Sequence, residues 1–318
     1  KSIETTGHSI DQSVSYGHLI SITVKSEDFS CHSDGRMSTF SFWKKLNKMT
    51  EITHQRPKLQ SIYDALFSFE SKNRKAPYPI HKGVSIEGKR LLDWLAPQLN
   101  ITASTRILDA GCGTGNTLFQ LHEKHGSTGV GLSISSKEIT FANQYAEANE
   151  LQNQLQFFQR DFTHSIDDLG KFDLIVAIES LRHCEDPVGV VFELHDLLNP
   201  GGQLVIVDDF IVEEGTKKDI QKHKEAWDAP GFIAYESLES HLLERAIPFQ
   251  KMDLTSYVPL KSKNRLKVLL TTLRLAEVFA LGSQRMARNF KTYYGALLLE
   301  YLYLSNGVKY CSYLIERS

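Results

Sequence analysis

Cysteine is scarce. The 318 residues hold four, Cys31, Cys112, Cys184 and Cys311, and none forms a CxxC pair. That spacing excludes a cysteine-ligated zinc site. So few thiols in so long a chain exclude a disulfide framework. Long apolar runs are also missing, so no segment reads as a bilayer span. The opening KSIETTGHSI lacks the charged-then-apolar order of a signal peptide, and the expectation is a reduced, cytoplasmic protein without integral membrane association. No excess of one charge exists either: 36 Lys and Arg face 38 Asp and Glu, a net of -2. The field of the whole molecule therefore favours neither nucleic acid nor an anionic membrane. No repeat or low-complexity segment stands out. What remains is ordinary soluble composition, 41% hydrophobic and 23% charged, in a length that suits one large domain with additions.

Residues 1–36 form a polar extension whose stretch Leu19 to Val24 alternates like a short strand. Residues 37–100 read as a helical cap. One helix carries Phe42, Trp43, Leu46 and Met49; another follows Pro57 with Leu59, Ile62, Leu66 and Phe69; a third spans Ile86 to Leu99. From residue 101 the rhythm turns to strand–helix alternation. RILDAG, TGVGLSI, LQFFQRD, FDLIVAIES and QLVIVDDF are short apolar runs bounded by turn residues. This predicts an α/β core over 101–318 with a mainly parallel sheet. Beyond Phe210 come a charged helix and loop (213–231), a helix over Ser237 to Arg245, a strand over Phe249 to Val258, helices over Asn264 to Leu281 and Met286 to Leu304, and a last strand over Tyr310 to Ile315. Insertions around 213–235 and 259–306, placed among the last strands, predict a lid.

The sharpest motif is RILDAGCGTG, residues 106–115. A strand ends at Asp109, Gly111, Gly113 and Gly115 follow, and a helix starts near Thr117. Glycines there let the backbone turn tightly and approach a ligand, at the strand end where open α/β sheets bind ligands. Asn116 breaks the GxGxxG spacing of dinucleotide sites. The leading Asp109 repels phosphate but suits an amino or sulfonium group.

These residues resemble class I S-adenosylmethionine-dependent methyltransferases, from about residue 84 to 258 and again at the C-terminus. The resemblance implies a Rossmann-like, seven-stranded sheet with a helical N-terminal cap and C-terminal lid insertions. It implies S-adenosylmethionine as cofactor, held by Asp109 and the glycine loop. The acid that normally closes the second strand is Ser133 here, a departure that weakens the grip on ribose hydroxyls unless Glu138 assists. Asp161 and Phe162 match the positions that take the adenine amino group and ring.

FDLIVAIESLRHCED (172–186) places Glu179 at the end of the fourth strand, with His183 four residues on. The two share a side if the segment is helical. An acid and a histidine there can take a proton or stabilise a cation. This segment, with LLNPGGQLVIVD (197–208) and the tail NGVKYCSYLIERS, resembles the subgroup of sterol C24-, tocopherol and prenyl-diphosphate C-methyltransferases and cyclopropane-fatty-acid synthases. That implies methylation of carbon on a small apolar, isoprenoid acceptor. Glu179 and aromatics from Phe162, Trp227, Phe232, Tyr235, Tyr293 and Tyr294 would steady the cation, and Tyr78 would be a substrate contact next to a basic cluster. Basic residues Lys72, Arg74, Lys75, His81 and Lys82 offer a diphosphate grip, and Asp208 and Asp209 a place for Mg²⁺ bridging it. No other metal is expected. The alternative is an O- or N-methyltransferase with Glu179 or His183 as base. A non-enzymatic binder is disfavoured by the intact loop, and a nucleic-acid enzyme by charge and by the lack of an NPPY-like step. Partners are a small molecule and, in principle, a second copy of the chain.

Overall fold

The computed structural model describes residues 56–71, 74–79, 83–212, 217–227, 229–279 and 284–318. The expected strand at Leu19 to Val24 and helix at Phe42 to Met49 lie outside the described residues, as do Lys72, His81 and Lys82.

Seven strands build the central sheet: β1 (Arg106–Ala110), β2 (Thr128–Ser133), β3 (Leu155–Gln159), β4 (Phe172–Ile178), β5 (Leu198–Ile211), β6 (Phe249–Asp253) and β7 (Val308–Glu316). Their order is β3-β2-β1-β4-β5-β7-β6, and a two-residue strand, Ile233–Ala234, runs parallel beside the end of β5. Strands β1 to β5 are parallel, while β7 pairs antiparallel with both β5 and β6. Parallel neighbours need crossover helices. These are α3 (Asn116–His125), α4 (Ser136–Ala148) and α5 (Pro187–Asp196). Burial on both faces explains the continuous apolar runs of β1, β4 and β5, in which Ile107, Leu108, Ile175, Leu204 and Ile206 are fully buried. The order reverses between β1 and β4, so the carboxyl ends of those two strands flank the crevice where such sheets take ligands.

Ahead of the sheet lies α1 (Pro57–Glu70), which starts at a proline as the sequence predicts. It packs on α4: the Asp64 carboxylate accepts from Ser135 Oγ at 2.5 Å. The helix expected over Ile86 to Leu99 is a correction. Strands Ser85–Ile86 and Lys89–Arg90 form a hairpin, and only α2 (Leu91–Leu95) and a 3₁₀ turn at Ala96–Gln98 are helical. The cause is the turn pair Glu87–Gly88, both left-handed at φ 51° and 78°, the geometry of a two-residue hairpin turn. The strand expected to reach Val258 also stops early, at Asp253, and gives way to a 3₁₀ turn at Thr255–Tyr257.

Among the described residues, four further helices follow β5: α6 (Lys217–Trp227), α7 (Tyr235–Glu244), α8 (Lys263–Phe279) and α9 (Gln284–Leu304). α9 packs on both α8 and α6. Gly295 makes the second contact possible, since a Cβ there would lie 2.6 Å from both Ala226 and the Trp227 indole.

Candidate functional site

The carboxyl ends of β1, β2 and β4 open into a cavity of about 450 Å³. Its floor is the glycine loop, and α1, α6 and α9 contribute Tyr63, Trp227 and Leu299 to its walls.

Asp109 closes β1 and is 3% exposed. Among the described residues its Oδ2 has no hydrogen-bond partner. Burial pushes its carboxyl up to about 7, against a smaller downward pull from the Thr117 hydroxyl. A buried carboxyl oxygen without a donor, facing a cavity, fits a cationic ligand. The glycines answer partly to the protein itself. Gly111 at φ 102° has the Ser180 Cβ where its own Cβ would be, 2.5 Å away. Gly115 at φ 81° has Phe157 at 2.6 Å and precedes α3 in left-handed geometry. Gly111 and Gly113 line the cavity; Gly115 does not, so its place in the motif is packing beneath the loop.

At the end of β2, Ser133 Oγ donates to Glu138 Oε2 at 2.7 Å. Both side chains are buried and line the cavity. Ser135 caps α4 by accepting from the Glu138 amide, which turns the Glu138 side chain back toward Ser133. The carboxylate missing from the strand end is thus supplied from the first turn of the next helix.

Asp161 and Phe162 follow β3 and line the cavity. Asp161 accepts from the Thr163 amide and hydroxyl at 3.0 and 2.7 Å and pairs with Arg56 Nε at 3.1 Å. Arg56, which sequence reasoning passed over, also donates to Thr163 Oγ1 at 2.8 Å and to the His183 carbonyl. It ties the start of α1 to the loops after β3 and β4.

Glu179 stands just past β4 at φ 52°. A non-glycine residue there carries roughly 1–3 kcal/mol of backbone strain, of the kind that clusters at functional sites. Its contacts include Arg182 Nη2 at 3.0 Å from Oε2, and the Tyr310 hydroxyl donating to Oε1 at 3.0 Å. Arg182 also meets Asp208 at 3.4 Å and Asp209 at 3.0 Å, and Tyr303 donates to Asp209. Three carboxylates thus surround one guanidinium. The expectation that Asp208 and Asp209 hold Mg²⁺ is corrected here. They sit 1% exposed beneath Glu179, engaged by Arg182 and Tyr303 and, for Asp208, by the Leu181 amide. Among the described residues no group of three or more His, Cys, Asp or Glu has the arrangement of a metal site.

The segment from Glu179 to His183 is not the α-helical turn that would set the two on one side. The left-handed step at Glu179 and the 3₁₀ turn Leu181–His183 send the acid to Arg182 and the imidazole to α1. There His183 Nε2 lies 2.7 Å from the Tyr63 hydroxyl, the rings edge-on at 5.5 Å. Both residues line the cavity.

Of the aromatics, Tyr78, Phe162 and Trp227 line the cavity, and Phe232 is buried against the His223 ring. Tyr293 is 56% exposed and, like Tyr294, which lies under Arg274, stands outside the lining. α9 lines the cavity with Ala296, Leu299, Glu300 and Tyr303. Tyr235 begins α7, and its side chain lies outside what is described. Arg74 and Lys75 are exposed, with Arg74 stacked 4.1 Å over the Tyr78 ring.

A family model described as a methyltransferase domain matches residues 101–269. Among curated relatives, 27-O-demethylrifamycin SV methyltransferase of Amycolatopsis mediterranei is 30% identical over 53% of this chain and 63% of its own length. Sterol 24-C-methyltransferase of Schizosaccharomyces pombe is 31% identical over 42% of this chain and 35% of its own. The chain therefore spans less than two thirds of either relative. Among solved structures, the [4+2]-cyclase SpnF aligns with a TM-score of 0.62 at 18% identity, covering 83% of this chain and 96% of that one. Geranyl diphosphate C-methyltransferase of Streptomyces coelicolor A3(2), solved with Mg²⁺, geranyl diphosphate and S-adenosyl-L-homocysteine, aligns at 0.58 and 14% identity over 82% and 98%. Those identities speak for the fold alone. With the sheet order, the acid-led glycine loop and the family match together, the chain belongs to the S-adenosylmethionine-dependent methyltransferases of the class I fold.

Proposed function

We propose that this enzyme methylates a carbon of a small apolar acceptor of isoprenoid type. The carrying observation is Glu179, a carboxylate in strained backbone at the mouth of β4, held by Arg182 and Tyr310 and lining a mostly apolar cavity. S-adenosylmethionine supplies an electrophilic methyl group when bound. In this reading Asp109 takes its amino group, Ser133 and Glu138 its ribose hydroxyls, and Asp161 with Phe162 its adenine. A carboxylate has about four acceptor sites, so Asp161 has room beside Arg56 and Thr163. Glu179, aligned by Arg182 and Tyr310, stabilises the cation that an alkene becomes on gaining a methyl group. The ring faces of Phe162, Tyr63 and Trp227 add to this. α6, α8 and α9 serve as the lid and α1 as the opposite wall. Mg²⁺ enters this reading only with a diphosphate acceptor, and Asp208 and Asp209 are not its ligands. The sterol 24-C-methyltransferases among the similar proteins support carbon as acceptor.

A second reading has its own observation. The Tyr63–His183 pair is built to accept a proton, which a hydroxyl acceptor must lose, and one relative is named for 27-O-demethylrifamycin SV as its substrate. Single-turnover rates of Tyr63→Phe and His183→Ala separate the two. With a carbon acceptor the methyl transfer slows less than about tenfold, since no proton leaves before attack. With a hydroxyl acceptor it slows by about 100-fold or more, the ordinary worth of a general base.

A further inference from the structure

The net charge of -2 conceals a strong asymmetry. Residues 259–304 hold eight Lys and Arg against two acids, Glu277 and Glu300, and Glu300 pairs with Lys261 at 2.6 Å. The rest of the chain is correspondingly acidic. The same segment carries large apolar side chains in the open. Val268 is 65% exposed, Leu275 57% and Tyr293 56%.

Val268 and Leu275 are seven residues apart on α8, two turns, and so share one face. Lys267 and Arg274 repeat the spacing one residue earlier, and all four are exposed. Lys263 and Arg265 stand exposed at the start of the same helix, and Lys291 stands exposed beside Tyr293 on α9. The buried side of α8, with Leu266 fully enclosed, packs on α9. Among the described residues no helix is long and apolar enough to cross a membrane. Aliphatic side chains flanked by cations on a helix that does not span form the pattern of an interfacial helix.

We infer that α8 and α9 dock on an anionic lipid surface. Basic side chains are drawn to the negative potential of such a bilayer, and Val268 and Leu275 enter its headgroup boundary. Tyr293 suits the same depth, having an apolar ring and a polar tip. Nucleic acid would satisfy the cations but leave Val268 and Leu275 in water, so lipid is the partner the face fits. α9 also carries the cavity-lining Leu299 and Tyr303. Docking therefore holds the cavity about one helix diameter, roughly 10 Å, from the bilayer, where an apolar acceptor would dissolve. The inference does not depend on which atom accepts the methyl group.

Vesicle sedimentation of the full chain tests it without any substrate. The protein should pellet with phosphatidylcholine vesicles containing about 30 mol% phosphatidylglycerol and not with phosphatidylcholine alone. Raising salt from about 0.1 to 0.5 M should release it. K267E/R274E should weaken partitioning about tenfold or more, and V268S/L275S several-fold. All four side chains are exposed, so melting temperatures should stay near wild type. Absence of binding to the anionic vesicles would overturn the proposal. So would equal partitioning of wild type and both variants, or tighter binding to duplex DNA that V268S/L275S leaves unchanged.

Discussion

Glu179→Gln should slow the methyl-transfer step by about two orders of magnitude or more while leaving cofactor affinity nearly unchanged. Gln keeps the size of Glu and can still accept from Tyr310, but it removes the charge facing the cavity. A fixed charge where a cation develops acts in a dry site at full strength and needs no reorganisation, and losing one such stabiliser costs about 10²–10³ in rate. The fold should survive, because Arg182 keeps its contacts to Asp208 and Asp209. The left-handed backbone at residue 179 is the same for either side chain. Single-turnover kinetics at saturating cofactor give the rate, and calorimetry gives the affinity. A wild-type rate would remove Glu179 from the chemistry.

Asp109→Asn should weaken S-adenosylmethionine binding at least tenfold, about 1.4 kcal/mol, and should flatten its pH dependence. In the wild type, burial holds the Asp109 carboxyl up to about 7. Only the ionised form attracts an ammonium group, so affinity should fall by about tenfold per pH unit below 7. It should fall again above about 8, where an α-amino group loses its proton. The stability effect has the opposite sign. A carboxyl whose folded value lies above its unfolded one stabilises the fold at low pH. That contribution is lost as pH rises from the ordinary carboxylate range through about 7. Without cofactor, the Asn variant should therefore melt above wild type at pH 8, and the gap should close near pH 5. Thermal scans at both values, with and without S-adenosylmethionine, check both signs. Unchanged affinity would sink the assignment of Asp109 to the amino group.

The glycine loop and its leading acid were readable because they are local: one strand, one turn and one helix start within ten residues. The β-strand rhythm was readable for the same reason. The serine at position 133 was also visible, and so was Glu138 one turn into the next helix, which the structure joins to it by a hydrogen bond. Tyr63, Arg56 and Arg182 were not found, because each owes its place to packing between segments far apart in the chain. Arg56 reaches Asp161 across more than a hundred residues. Tyr303 was missed for a different reason. Aromatic character singled out Tyr293 and Tyr294, whereas helical periodicity puts Ala296, Leu299 and Tyr303 on one face. The false helix over Ile86 to Leu99 came from weighing Leu91, Leu92, Trp94 and Leu95 above the Glu87–Gly88 turn that precedes them. Whole-chain charge hid the basic helices because the acidic remainder cancels them.

The account's central claim is methyl transfer to carbon. It is tested most directly by incubating the enzyme with S-adenosylmethionine bearing a trideuterated methyl group and a panel of prenyl diphosphates, prenyl alcohols, sterols, quinols and phenols. Mass spectrometry finds the acceptor that gains the label, and NMR locates it. The account predicts one labelled methyl on a carbon of an isoprenoid, formed in step with S-adenosylhomocysteine. A label on oxygen or nitrogen, or cofactor bound with no acceptor in the panel gaining mass, would contradict it.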